Sequence, residues 1–235
     1  MPHVADVADL VRARKGGSAP FVLGVTGSVA AGKSTFAEAL TGVLGADAAS
    51  PAVELVCTDG FLLDNATLEA RGLTLRKGFP ESYDAEALAR TIASVRRGAA
   101  VFPGYSHVTY DVDPALAREV RSPDILIVEG LGLHDPRSAG LDALVYLDAE
   151  EVHLEAWFTT RFMGLWRAAE RDPGSFYARF RHMSAAETER FASEVWRAIN
   201  LPNLRDHIAP AREFADIVVR KGPAHEIEAI TARSS

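Results

Sequence analysis

Apolar residues recur along the chain in two alternating rhythms. Val4, Val7, Ala8 and Val11 fall at helical spacing and predict a short amphipathic helix, behind which Gly16-Gly17-Ser18 loosens the chain. Phe21 to Thr26 is the first predicted strand. After a glycine-bearing stretch, Phe36, Leu40, Val43 and Leu44 mark one face of a second helix that Gly45 terminates. Val53 to Thr58 predicts the next strand, and Asp84 caps a helix with a stripe of Leu88, Ile92 and Val95, followed by Gly98. Ile125-Leu126-Ile127-Val128 and Leu144-Val145-Tyr146-Leu147 are uninterrupted apolar runs, the pattern of strands buried on both faces. Asp148 with Glu151 offers a capping-box start to a helix through Trp166. Ser184 with Glu187 starts another, with the stripe Phe191, Val195 and Ile199, and Ile217-Val218-Val219 is a late strand. Short apolar strands alternating with amphipathic helices predict an α/β, three-layer fold of the P-loop NTPase type: a mostly parallel sheet with helices on both faces.

Composition narrows the picture. A chain of 235 residues without a linker, repeat or low-complexity tract reads as one domain spanning 1–235, with 1–17 as N-terminal helix and linker. A net charge of −7 argues against nucleic acid or a membrane surface as partner, since both are polyanions. The single cysteine, Cys57, excludes an internal disulfide framework and fits a reducing compartment. Acids interrupt Val4–Leu10 where a signal peptide needs an apolar core, and no apolar run approaches the roughly 18 residues of a membrane span. The expectation is a soluble, cytoplasmic protein.

The candidate chemistry begins at Gly27-Ser28-Val29-Ala30-Ala31-Gly32-Lys33-Ser34, a full match to G-x-x-x-x-G-K-[ST] between a strand and a helix. Glycines let successive backbone N–H groups turn inward onto phosphate oxygens, and the positive end of the following helix adds to that field. Lys33 can reach the β- and γ-phosphates of ATP, and the Ser34 hydroxyl, followed by Thr35, can ligate Mg²⁺. The base-reading pattern of G proteins, N/T-K-x-D, is absent. Asp59 and Glu129 each follow a strand, on the sheet edge where ligands bind in parallel α/β folds. Asp59 is placed to orient an acceptor hydroxyl and take its proton, and Glu129 to hold Mg²⁺ through water. The alternative for each is a solvated turn or cap, and Asp59-Gly60 is a common turn signal.

With these residues in view, the chain resembles the bacterial type I pantothenate kinases of the phosphoribulokinase/uridine kinase group. The resemblance lies in Gly27–Thr35, Thr58–Leu62, Arg71-Gly72-Leu73 and Lys77-Gly78-Phe79-Pro80-Glu81-Ser82-Tyr83-Asp84. It continues in Tyr105-Ser106-His107, Tyr110-Asp111-Val112, Asp124–Leu131, Arg161-Phe162, Asp172-Pro173, Ile199-Asn200 and Asn203-Leu204. It implies transfer of the ATP γ-phosphoryl group to the primary hydroxyl of pantothenate, the first step towards coenzyme A, by a homodimer. In that light Asp59 matches the catalytic carboxylate, Tyr105 and His107 line the acceptor site, and Arg161 lies near acceptor and phosphate. Asn200 matches a substrate asparagine and His225 a position near the nucleotide base. Phe158, at a substrate position, Phe176 and Phe180 stand where the family has tyrosines, which alters the pocket's hydrogen bonding and bears on acceptor choice. Glu38 replaces an arginine that recognises coenzyme A, and the segment ahead of the P-loop is shorter than in the family.

Arg161, Arg167, Arg171, Arg179 and Arg181 surround Asp172-Pro173-Gly174, so residues 161–183 read either as a lid over the triphosphate or as solvated helix faces. Trp157 and Trp196 read as core or pocket wall, His134 and His153 as structural or exposed, and Cys57 as a small buried hydrophobe. The leading expectation is therefore a pantothenate kinase. A kinase with the same machinery and another small alcohol acceptor, such as a nucleoside or pantothenate relative, is the alternative. A nucleotide-binding regulator without turnover is the third, opposed by the joint presence of Lys33, Ser34, Asp59 and Glu129.

Overall fold

The computed structural model describes residues 2–16, 20–46, 51–133 and 139–233. His134 and the Gly17-Ser18 part of the expected linker lie outside them. In chain order the elements are α1 (Val4–Arg14), β1 (Phe21–Gly27), α2 (Lys33–Leu44), β2 (Val53–Cys57), α3 (Asn65–Ala70), α4 (Ala85–Arg96) and β3 (Ala99–Phe102). Then come β4 (Tyr105–Ser106), β5 (Asp111–Val112), β6 (Arg118–Arg121), β7 (Ile125–Glu129), β8 (Ala143–Asp148), α5 (Glu151–Ala168) and α6 (Ala185–Val195). The last strands are β9 (Ile217–Lys221) and β10 (Ile227–Ala232).

A six-stranded sheet has the order β10-β9-β8-β1-β7-β2, parallel throughout except for β10. Every residue of β1 and β7 is buried, so side chains on both faces of these strands are covered, as the apolar runs Phe21–Val25 and Ile125–Val128 require. Burying one side chain the size of Ile127 contributes about 2 kcal/mol. Aspartates set the register at the strands' amino-terminal edge. Asp142 accepts from Val22 N at 2.7 Å, Asp124 from Ala52 N at 2.7 Å and Asp216 from Leu144 N at 2.8 Å. Short charge-assisted bonds of this kind resist a slip that would move apolar rows out of the core.

Several local expectations hold. Asp84 caps α4 through Ala87 N, with Leu88, Ile92 and Val95 buried, and Ser184 and Glu187 form a full capping box on α6. Others are corrected. The helix after β8 starts at Glu151 with Glu150 at its N-cap, because Asp148 still belongs to the strand and pairs with Arg212 and Arg220. The buried row on α6 is Thr188, Ala192 and Trp196, one position along from the predicted stripe. A π-helical turn, Trp196–Asn200, then continues it. Strand β2 stops at Cys57, and Thr58–Phe61 is a 3₁₀ turn. The antiparallel ribbons β3–β6 and β4–β5 and the edge strand β10 are short or strongly polar and left no clear period in the sequence.

Gly130, at φ +143°, lets the chain turn away from β7, and a Cβ there would sit 2.0 Å from Thr58 Oγ1. Gly130→Ala is expected to lose about 2–4 kcal/mol of stability in urea unfolding, through strain and overpacking together; a loss below about 0.5 kcal/mol would show that this contact does not constrain the fold.

Candidate active site

Register builds the site. Glu129, the last residue of β7, lies opposite Val25 of β1 on one side and Cys57 of β2 on the other. The P-loop leaves β1 two residues past Val25, and Asp59 lies two residues past Cys57, so the phosphate loop and both carboxylates share the sheet's carboxyl edge. Glu129 is 6% exposed. Ser34 donates to its Oε1 at 3.1 Å, joining the first turn of α2 to β7.

Three unusual backbone conformations shape the loop: Gly27 at φ +146°, Ala30 at +62° and Gly32 at +79°. At Gly27 a Cβ would meet Leu147 O at 2.5 Å, so only glycine allows the loop to leave β1 against β8. Ala30 accepts a left-handed conformation costing about 1–2 kcal/mol, a strain typical of ligand-cradling loops. Val29 lies in the bend between these residues, and Thr35 is exposed on the first turn of α2. Ser28 Oγ is buried and has no hydrogen-bond partner among the described residues, a donor free to meet an oxyanion. Lys33 donates to Ser28 O at 2.8 Å. Burial lowers the pKa of its ammonium, and the carboxylates of Glu129 and then Asp59 oppose that shift, so the amine lies within the field of both acids.

Asp59 is half-buried, and Tyr83, inside the Lys77–Asp84 run, donates to its Oδ1 at 3.4 Å. Burial pushes the Tyr83 hydroxyl well above its ordinary range, with the Asp59 charge adding to the effect, so it stays a hydrogen-bond donor. Tyr105 is likewise raised by burial and then by Asp59, and its ring stands edge-on to His107 at 5.1 Å. Cys57 is not a core hydrophobe: it is half-buried at the end of β2, its Sγ accepts from Asp59 N at 3.4 Å, and burial raises its thiol pKa. Cys57, Gly60, Tyr105, His107 and Arg118 share a cavity of ≈170 Å³.

Lys77 is a residue the pattern reading passed over. Its amine donates to Asn65 Oδ1 at 2.7 Å and to Tyr110 O, and it lies 5.2 Å from the Tyr105 ring. Burial lowers its pKa against the opposing charges of Asp111 and Asp59. Asn203 is another. It is buried, donates to Gly78 O at 2.9 Å and leaves Oδ1 unpartnered, whereas Asn200, one turn earlier, is half-buried. Both lay in motifs already visible; only their contacts were missing.

The 161–183 region packs into an aromatic cluster in which Phe162, Ala169, Tyr177 and Ala192 are buried and Phe176, Phe180 and Phe158 surround them, Phe158 touching the main core as well. Arg161 is exposed, and its charge is felt by both Lys33 and Tyr177. Arg179 lies over Phe176 and Arg181 over Trp166, the latter also facing Glu170 at 3.7 Å, so these two are held in place by local contacts. Tyr110 joins this cluster to the β4–β5 ribbon: it stacks on Phe176 at 4.9 Å, and its hydroxyl lies 2.9 Å from that of Tyr177. Trp157 stacks on His225 at 3.7 Å beside the P-loop, Trp196 is buried in the main core, and His153 is half-buried 6.0 Å from Trp157. Glu38 is exposed on α2.

The hydroxyl pair has a measurable signature. Tyr110→Phe and Tyr177→Phe should each cost about 1–2 kcal/mol, because each strands a part-buried partner, and the double variant should cost about 1 kcal/mol less than their sum. Additive losses in a urea double-mutant cycle would show the pair to be uncoupled.

The comparisons agree with this geometry. Residues 22–157 match the Phosphoribulokinase / Uridine kinase family. The chain is 45% identical over 228 residues to a pantothenate kinase of Streptomyces coelicolor, covering 91% of this chain and 69% of the relative. It is 44% identical over 237 residues to one from Sorangium cellulosum, covering 97% and 77%. The solved D-glycerate 3-kinase from Cryptococcus neoformans, at 14% identity, superposes with a TM-score of 0.64 over 98% of this chain and 99% of that one, a likeness of fold. The chain belongs to the phosphoribulokinase/uridine kinase family and, within it, to the pantothenate kinases.

Proposed function

We propose that this protein transfers the γ-phosphoryl group of ATP to the primary hydroxyl of pantothenate, with Asp59 as the base. The observation that carries the mechanism is the register placing Glu129 between the P-loop strand and the Asp59 strand, with Lys33 in the field of both acids. Gly27 through Thr35 cradle the phosphates with backbone N–H groups, Lys33 steadies the transferring group, and Arg161 adds charge from the acceptor side. Asp59 accepts the hydroxyl proton as the acceptor oxygen bonds to the γ-phosphorus and the bond to the bridging oxygen of ADP breaks. Tyr83 holds Asp59 in orientation.

Ser34 and Glu129 present adjacent hard oxygens, a donor set that suits Mg²⁺ arriving with the triphosphate, since that ion keeps waters and needs few protein carboxylates. When bound, Mg²⁺ neutralises charge developing on the β- and γ-oxygens. Among the described residues no cluster of three or more acids, histidines or cysteines forms a protein-only metal cage.

Pantothenate offers a carboxylate, an amide and hydroxyl groups. Tyr105, His107, Lys77 and Asn200 supply complementary donors around Asp59, with Phe158 as an apolar wall. His225, backed by Trp157, offers a face to the nucleotide base. Residues 161–183 act as a lid, supported by the aromatic cluster they form with Phe158, Phe191 and Ala192. The protein acts as a homodimer, as its resemblance to the type I pantothenate kinases implies. A cytoplasmic location is supported by the single cysteine, and a role without nucleic-acid or membrane partners by the net charge of −7. Among the described residues, no helix is long and apolar enough to cross a membrane.

An ADP-release assay across pantothenate, pantetheine, uridine and simple sugars tests this reading. Turnover with pantothenate is expected; turnover confined to another acceptor would reassign the substrate, and ATP binding with no turnover would make the protein a regulator. Asp59→Asn should lower kcat by about 10² or more while leaving ADP affinity within about threefold. An unchanged kcat removes Asp59 from the mechanism.

A further inference from the structure

Strand β9 places Ile217, Val219 and Lys221 on one buried row, where alternation calls for apolar side chains. Lys221 is 6% exposed, and its ammonium donates to Ala31 O at 2.9 Å. It presses so closely on the P-loop that a Cβ on Gly32 would lie 2.9 Å from Nζ. His225 Nδ1, 3.3 Å away, is its other polar neighbour.

No carboxylate lies within ion-pair reach of this amine among the described residues, and the nearby acids are engaged elsewhere. Glu226 accepts from Ala224 N at 2.8 Å, Asp148 faces Arg212 and Arg220, and Glu129 is held by Ser34. Burying an ammonium without a counter-charge costs several kcal/mol. A charge kept at such cost against a phosphate-binding loop calls for an anion. The turn that carries it is built rigidly: Trp157 donates to Pro223 O at 2.9 Å, and His225, at φ +64°, is stacked on Trp157.

We propose that Lys221 is a positioning residue for the nucleotide. It pins the Ala31–Gly32 peptide in the left-handed conformation that aims the loop's N–H groups at phosphate, and the bound phosphates supply its missing counter-charge. This rests on the ATP-binding part of the function proposed above, and on no particular acceptor.

Calorimetric titration with ADP, which needs no acceptor, separates the two ideas. Lys221→Met should weaken ADP binding about 10- to 100-fold, the worth of a charge-assisted hydrogen bond, while Lys221→Arg keeps most of the affinity. In turnover assays the Met variant should show a raised KM for ATP, with kcat and the acceptor KM within about threefold of wild type. Unchanged ADP affinity in Lys221→Met overturns the proposal. So does an Arg variant as impaired as the Met variant, which would make the site one of packing; the Arg variant decides alone where the Met variant does not fold. Failure of pantothenate turnover with Lys221-dependent ADP binding would sink the acceptor assignment and leave this inference standing.

Discussion

Glu129 is charged chemistry at the end of a wholly apolar strand, and a carboxylate stays there only because its surroundings answer it. The Ser34 hydroxyl donates to it from the first turn of α2, and the Lys33 ammonium lies within its field. That arrangement depends on β7 running between β1 and β2 in parallel register. Shift β7 by one residue and the carboxylate turns to the opposite face, leaving the Lys33 amine with Asp59 alone. The aspartates at the strands' other edge, Asp124, Asp142 and Asp216, are therefore as much a part of the phosphate site as the P-loop: they set the register that the site reads out.

The acceptor side is built by a different logic. Two short ribbons and the Lys77–Asp84 run converge on Asp59, and their polar groups hold one another: Lys77 on Asn65 and Tyr110, Asn203 on Gly78, Tyr83 on Asp59. Phe158, Phe176 and Phe180 make the adjoining wall apolar. One phenol remains buried there, Tyr177, and it faces Tyr110. The cluster thus ties the 161–183 region to the ribbon carrying Tyr105 and His107 through stacking, the hydroxyl pair and a backbone bond in which Phe176 N donates to Val108 O at 2.8 Å.

Lys221 shows the same economy on the nucleotide side. Residues remote in sequence from the P-loop press on it at two points, Leu147 O against Gly27 and Lys221 against Gly32.

Much of this was legible from the chain alone. Apolar runs such as Ile125–Val128 have one stable setting, a strand covered on both faces, and the glycine spacing at 27–34 has one common use, so the parallel α/β fold and the phosphate loop followed from pattern. Local capping was legible at Asp84 and Ser184, where donor and acceptor are three residues apart, and misread at Asp148, whose partners Arg212 and Arg220 are more than sixty residues away. The partners of Lys77, Asn203, Tyr110 and Lys221 could not be read that way, because hydrogen bonds between distant segments leave no period in the sequence. The amino-acid pattern alone determined which residues carry charge or hydroxyls at the strand ends; tertiary register decided which of them meet, because only packing brings distant polar groups within the few ångströms over which they act.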